Sequence, residues 1–155
     1  MRRRHANVTA HTAAPPAAVF ALLADGSSYP KWSPIESFEL ERPGDAQREG
    51  PGAIRRFQSG RTIGHDEILE LVPNRSLKYA SRSPLPVRDY IGEVTLADAP
   101  GGGTTINWHS SFFPKPRGTG WIMQAGLRRF LAQTANGLAD YAASTSGAER
   151  NTRSS

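Results

Sequence analysis

The sequence predicts an α+β domain: a curved, seven-stranded antiparallel sheet wrapped around one long C-terminal helix, with two short helices after the first strand. Three observations support this. From Gly118 to about Ala143, Met123, Leu127, Phe130, Thr134, Leu138 and Tyr141 recur at steps of three and four, the spacing of one helix face, with Arg128, Ala132, Asn136 and Asp140 opposite. From Ile35 to Phe113 the period is two, interrupted about every ten residues by turn residues, as in an antiparallel meander. A helix with so bulky a stripe needs a large apolar surface to bury it, and only that sheet can supply one.

The elements follow in order. His5 to Thr12 alternates loosely around Val8 and reads as the first strand. Ala14-Pro15-Pro16 ends it, because proline cannot donate to a ladder and suits a helix start. Ala17 to Ala24 is a short apolar helix, and Tyr29-Pro30-Lys31-Trp32-Ser33-Pro34 a second one pinned by prolines. Six strands are expected next, at Ile35–Glu41, Ala53–Ser59, Arg61–Val72, Arg75–Ser83, Val87–Leu96 and Thr104–Phe113. In the helix that closes the domain, Gly126 and Gly137 each cost about 1 kcal/mol relative to alanine, so close packing or an adjoining cavity should explain them.

With 155 residues the chain fits one domain, read as residues 1–143, followed by a polar tail at 144–155 expected to be disordered. No run approaches eighteen apolar residues and no signal-peptide core follows the basic N-terminus, so a cytoplasmic location without a membrane span is expected. The absence of cysteine excludes disulfides, thiolate catalysis and cysteine-ligated metals. The net charge of +5 raises the question of nucleic acid. Sixteen of the nineteen basic residues are arginine and, apart from Arg2-Arg3-Arg4, they are dispersed among acids, which argues for a solvated surface and against nucleic-acid binding.

In this order the chain resembles the START/Bet v 1-like (SRPBCC) superfamily, and within it the polyketide cyclase/dehydrase and lipid transport branch. The resemblance covers about residues 5 to 143. It rests on Val19-Phe20-Ala21-Leu22-Leu23-Ala24 followed by the aromatic-proline turn Tyr29 to Pro34, on the hairpin Asp66 to Tyr79, and on Gly103-Thr104-Thr105-Ile106-Asn107-Trp108. It implies a helix-grip fold with a hydrophobic tunnel between the sheet and the C-terminal helix. It implies no particular reaction, since the superfamily holds carriers, sensors and enzymes. Aromatase/cyclase members carry a glutamate-arginine-hydrophobic pattern on the strand aligned with His65 to Ile68. Asp66-Glu67-Ile68 stands here, without that arginine.

The chemistry legible in the residues is sparse. No serine lies in a nucleophile elbow, and Gly101-Gly102-Gly103 lacks the lysine and helix start of a phosphate loop. His65-Asp66-Glu67 is polar enough to suggest a metal. Strand alternation, however, sends Asp66 to the face opposite His65 and Glu67, and no metal site is expected. Asp66, Tyr79 and Arg82 are weak candidates for acid–base work, as is Tyr90. The ligand-lining set is Trp32, Phe38, Tyr79, Tyr90, Trp108, Phe112, Met123, Leu127 and Phe130, with Pro114 to Gly120 as the gate. The expected function is cofactor-free binding of a small hydrophobic molecule, such as a lipid, isoprenoid or polyketide. The alternative is a cofactor-free polyketide cyclase/dehydrase, and a third reading is a macromolecule-docking module. A homodimer is allowed.

Overall fold

The computed structural model describes residues 3–82, 87–115, 118 and 120–153. Its element order is the expected one: β1 (Arg4–Thr12), α1 (Pro16–Ala24), a single 3-10 turn at Gly26–Ser28, α2 (Tyr29–Trp32), β2 (Ser37–Arg42), β3 (Ile54–Ser59), β4 (Thr62–Val72), β5 (Ser76–Arg82), β6 (Val87–Asp98), β7 (Thr104–Pro114) and α3 (Gly120–Arg153). Pro16 occupies the first turn of α1, where its missing N–H costs nothing. The Asp25 side chain accepts from Ser27 N–H and starts the turn that redirects the chain into α2.

The seven strands form one sheet in the order β1-β7-β6-β5-β4-β3-β2, and every neighbouring pair is antiparallel. Register follows alternation. In β4, Asp66 and Ile68 turn toward the helix side, whereas His65 and Glu67 face outward, where His65 Nδ1 lies 3.1 Å from Glu41 Oε1. A bulge between Ile68 and Glu70 sharpens the bend of β4 against β5. The core fills the concave face with Ile68, Leu77, Val94, Ile106, Trp108 and Phe112, against Val19 and Leu23 of α1 and Leu131 and Leu138 of α3.

The long helix departs from expectation in two ways. It continues past Ala143 to Arg153, although residues from 144 on were expected to be a disordered tail. No proline interrupts it, Ala142 and Ser146 are buried against the body, and the Thr145 hydroxyl donates back to the Tyr141 carbonyl. Its buried stripe is also rotated from the expected one. Leu131, Thr134, Ala135, Leu138, Ala139 and Ala142 are buried, while Met123 and Leu127 are only half-buried and Phe130 is 37% exposed. The sheet and short helices approach through the small residues, which the bulk-based stripe misassigned. The two internal glycines likewise separate. A Cβ on Gly137 would collide with the Trp32 carbonyl oxygen, so Gly137 lets α3 rest directly on the backbone of α2, whereas nothing lies within 4 Å of such an atom at Gly126.

Candidate functional site

Between the concave face of the sheet and α3 lies a cavity of about 50 Å³. Since a water occupies roughly 30 Å³ of liquid, it has room for a water or two and none for a hydrocarbon chain. The expected tunnel is therefore closed down to a small chamber. Its floor is Phe57, Ile68, Leu77 and Trp108, and its roof is Phe130, Leu131 and Thr134 of α3. Besides Thr134, the polar side chains Tyr29, Arg55, Asp66 and Tyr79 reach it.

Asp66 sits on β4 directly opposite Arg55 of β3 on one side and Ser81 of β5 on the other. Burial raises its carboxyl from the usual 3.8 to about 6, against the opposing pull of a hydrogen bond from Ser81 and the charge of Arg55. Tyr79 is held by strand pairing across from Gly92, where any Cβ would strike its ring. Its hydroxyl oxygen accepts from Trp108 Nε1 at 3.0 Å, and burial pushes the phenol well above its ordinary value. Tyr90 stands behind it, hydroxyl to hydroxyl with Ser110 at 2.7 Å, and burial moves it up to about 12. An acid that titrates near neutrality thus shares a largely apolar chamber with a phenol that remains protonated.

Arg55 is buried, with its side chain 2% exposed, and both of its terminal nitrogens donate to α1 and its surroundings. Nη1 donates to the Leu23 carbonyl at 3.0 Å and to the Tyr29 hydroxyl at 3.2 Å, and Nη2 donates to the Ala24 carbonyl at 2.7 Å. Nε lies 3.1 Å from Glu49 Oε1 as an ion pair without hydrogen-bond alignment, and that same oxygen accepts from Gly26 N–H at 2.8 Å. A cation placed on the terminal carbonyls of α1 satisfies that helix end and its dipole. Tyr29 in turn donates to the Leu23 carbonyl at 2.9 Å, and burial raises its phenol despite Arg55. β4 thus brings no arginine to the chamber, and the one that β3 brings, Arg55, holds α1 to the sheet.

Of the expected ligand-lining set, Tyr79, Trp108 and Phe130 meet in the cavity wall. Tyr90 contributes through Tyr79, its ring centroid 6.4 Å away. The others serve elsewhere. Trp32 packs on Tyr29 and donates from Nε1 to the Ser28 hydroxyl, Phe38 packs on Phe57, and Phe112 stacks on Tyr90. Met123 and Leu127 lie in the half-buried first part of α3. Arg82 was expected as an acid–base candidate, but it is exposed on the outer face, beside His65 and Glu67 around a shallow depression, and cannot act in the cavity. The proposed gate includes residues 116, 117 and 119, which lie outside the described residues. Arg55 and Tyr29 were missed. Alternation offered the signal, because Arg55 and Phe57 share a strand face and so both turn inward. Among the described residues no three His, Asp or Glu side chains gather as a metal site, and no helix is long and apolar enough to cross a membrane.

A curved antiparallel sheet closed by a long C-terminal helix over a small, partly polar chamber defines a helix-grip protein of the START/Bet v 1-like class. Residues 3–143 match the family described as polyketide cyclase / dehydrase and lipid transport, and the chain belongs to that family. No curated protein sequence matches it. Among solved structures it is similar to an aromatase/cyclase, Zhui, from a Streptomyces species, at 20% identity and a TM-score of 0.76, covering 91% of this chain and 94% of that one. A START superfamily protein from Mycobacterium smegmatis matches at 12% identity and a TM-score of 0.76, covering 89% and 96%. Ara h 8.0201 matches at 18% identity and a TM-score of 0.71, covering 92% and 99%. At these identities the likeness establishes the fold.

Proposed function

We propose that the protein binds a small, mostly apolar molecule carrying at least one polar oxygen, seated between the sheet and α3 with that oxygen against Asp66 and Tyr79. One observation carries this reading: beside the committed Tyr29 and Arg55, a carboxyl and a phenol face a chamber lined mostly by apolar side chains, and one side of its roof, Phe130, lies where α3 has lost its buried contacts. A core meant only to be solid would fill such a space, because an empty or half-satisfied polar cavity is costly. The present volume admits no ligand larger than solvent, so binding requires Phe130 and the helix segment before it to move outward. Lipids, isoprenoids and polyketides with hydroxyl or keto groups fit this description, and no cofactor is needed.

The test is a thermal-shift and native mass spectrometry screen that pairs hydroxylated or keto ligands with their hydrocarbon counterparts. Oxygenated members should raise the melting temperature and appear as one-to-one complexes; for a ligand at a hundred times its Kd the stabilisation is about 2.7 kcal/mol. A screen in which neither class shifts the melting temperature would discard the reading.

A second reading is favoured by Asp66 alone. A carboxyl titrating at about 6 exists in both protonation states near neutrality, as a general acid or base for enolisation and loss of water must. A cofactor-free cyclase/dehydrase would then act in the same chamber. Incubation with a poly-keto chain separates the two readings, since turnover that disappears in Asp66→Asn while binding persists belongs to the enzyme.

A further inference from the structure

We propose that the end of the molecule formed by β1, β7 and the first third of α3 docks on an anionic lipid surface. The first observation is the partition of charge. Residues 1–24 and 99–139 contain seven Lys or Arg and no Asp or Glu, whereas the rest of the chain has twelve Lys or Arg against fourteen Asp or Glu. More than the whole net charge of +5 thus arises from two segments remote in sequence. The fold brings the described parts of these segments together, Arg3, Arg4, Lys115, Arg128 and Arg129 among them, because β1 pairs with β7 and α3 runs along β1. There, Gln124 Nε2 donates to the His5 carbonyl and Arg4 Nη1 to Gln124 Oε1. The acids in register with β7 belong to β6, Glu93 opposite His109 and Asp98 opposite Thr104, and Asp89, at the register shift of β6, gives its carbonyl to Arg3.

The second observation is apolar. Trp121 is 65% exposed and Ile122 53%, more than any other large hydrophobic residue described. No residue from 121 to 130 is buried, although from Leu131 to Ser146 α3 buries a residue on every turn. Arg128 and Arg129 follow Trp121 and Ile122 by seven residues, two helical turns, and so lie on the same sides. An exposed tryptophan and isoleucine framed by arginines is the composition of an interfacial anchor. The indole sits among headgroups, the aliphatic chain dips below them, and the guanidiniums meet phosphates.

The shape separates a lipid surface from a peptide partner. The groove between His5, Asn7, Trp121 and Arg128 is wide and shallow, about 790 Å³. The Gln124 side chain already occupies the free edge of β1, where an added strand would have to bond. A flat anionic surface needs neither a slot nor an edge. The proposal does not rest on ligand binding, and its test uses no ligand.

The experiment measures cosedimentation and tryptophan emission with vesicles of pure phosphatidylcholine, and with vesicles containing about 30% phosphatidylglycerol to give a negative surface potential. Because Trp32 and Trp108 are 5% and 4% exposed, a blue shift on binding reports Trp121. Binding is expected only to the anionic vesicles, with a blue shift, and should weaken as salt is raised. Each arginine near such a surface contributes about fivefold, so R128E/R129E should lower partitioning about thirtyfold or more. W121A should weaken binding severalfold and abolish the shift. All three positions are exposed, and melting curves equal to wild type verify folding. Equal binding to neutral vesicles, no binding to either kind, or undiminished binding of R128E/R129E would overturn the proposal. So would binding to duplex DNA or polyglutamate as tight as to anionic vesicles at the same salt, which would reassign the face to nucleic acid or an acidic protein.

Discussion

Replacing Asp66 by asparagine should make the protein more stable, and only above a defined pH. The carboxyl titrates at about 6 in the folded chain against the usual 3.8, so the folded state holds the proton more tightly than the unfolded state. Stability associated with this group is intact below about pH 4 and is lost as the pH rises through about 6. At 1.36 kcal/mol per unit, the ionised carboxylate costs about 3 kcal/mol at pH 8. The Asp66→Asn side chain would keep an acceptor for Ser81 and remove the buried charge. Urea unfolding of both proteins at half-unit steps from pH 4 to 8 would show equal stability at the acid end. The curves should diverge between pH 4 and 6.5 to a difference of up to about 3 kcal/mol, or about 2–4 °C in Tm for each kcal/mol. Parallel pH curves, or a variant weaker than wild type at pH 8, would refute the argument that this carboxylate is held in an apolar chamber against its preference.

Arg55→Met leaves the Leu23 and Ala24 carbonyls and Glu49 without their cation and should cost about 3–5 kcal/mol by urea unfolding, with Arg55→Lys recovering less than half because an ammonium cannot reproduce the fork. A loss below about 1 kcal/mol would show that Arg55 does not hold α1 to the sheet. Gly137→Ala should destabilise by about 2–4 kcal/mol despite alanine's higher helix propensity, because its Cβ runs into the Trp32 carbonyl oxygen. Gly126→Ala, in open space, should instead stabilise by up to about 1 kcal/mol, and equal effects at the two glycines in thermal melts would contradict the packing described.

What the sequence revealed about the fold came from features that act locally. Pro15 and Pro16, the Gly and Asn turns and the alternation of β7 depend on neighbours a few residues away, so the element order could be read directly. The cavity depends on partners far apart in the chain, and there the sequence told only part: Asp66, Tyr79, Trp108 and Phe130 line it as alternation and the helix stripe suggest, whereas its size and its other walls were not legible. Trp32, Phe38 and Phe112 are large aromatics on inward faces, as pocket residues would be, yet each is spent on packing against another ring. Arg55 looks like one more surface arginine until β3 is laid against α1 and its guanidinium meets the carbonyls that α1 leaves unpaired. Arg82 fails for the opposite reason, since the parity of β5 sends it to the outer face. Bulk also misled the reading of α3, where Ala135, Gly137, Ala139 and Ala142 make contact beside Leu131 and Leu138, small residues that signal close approach by what they lack.

The uneven seating of α3 sets how molecules could exchange. From Leu131 on, the helix is fastened by buried side chains and by the bare contact of Gly137 with Trp32, while residues 121–130 are held by half-buried contacts at most. Because Leu131 and Thr134 stay seated, release of residues 121–130 opens the cavity only on its Phe130 side, and the free energy of that local opening lies well below that of the domain. Exchange of the ligand proposed above would then proceed at the rate of this local opening, on a timescale that substitutions in the main core would leave largely untouched. Affinity and fold stability become separately adjustable, one at the loose end of the helix and the other along its anchored length.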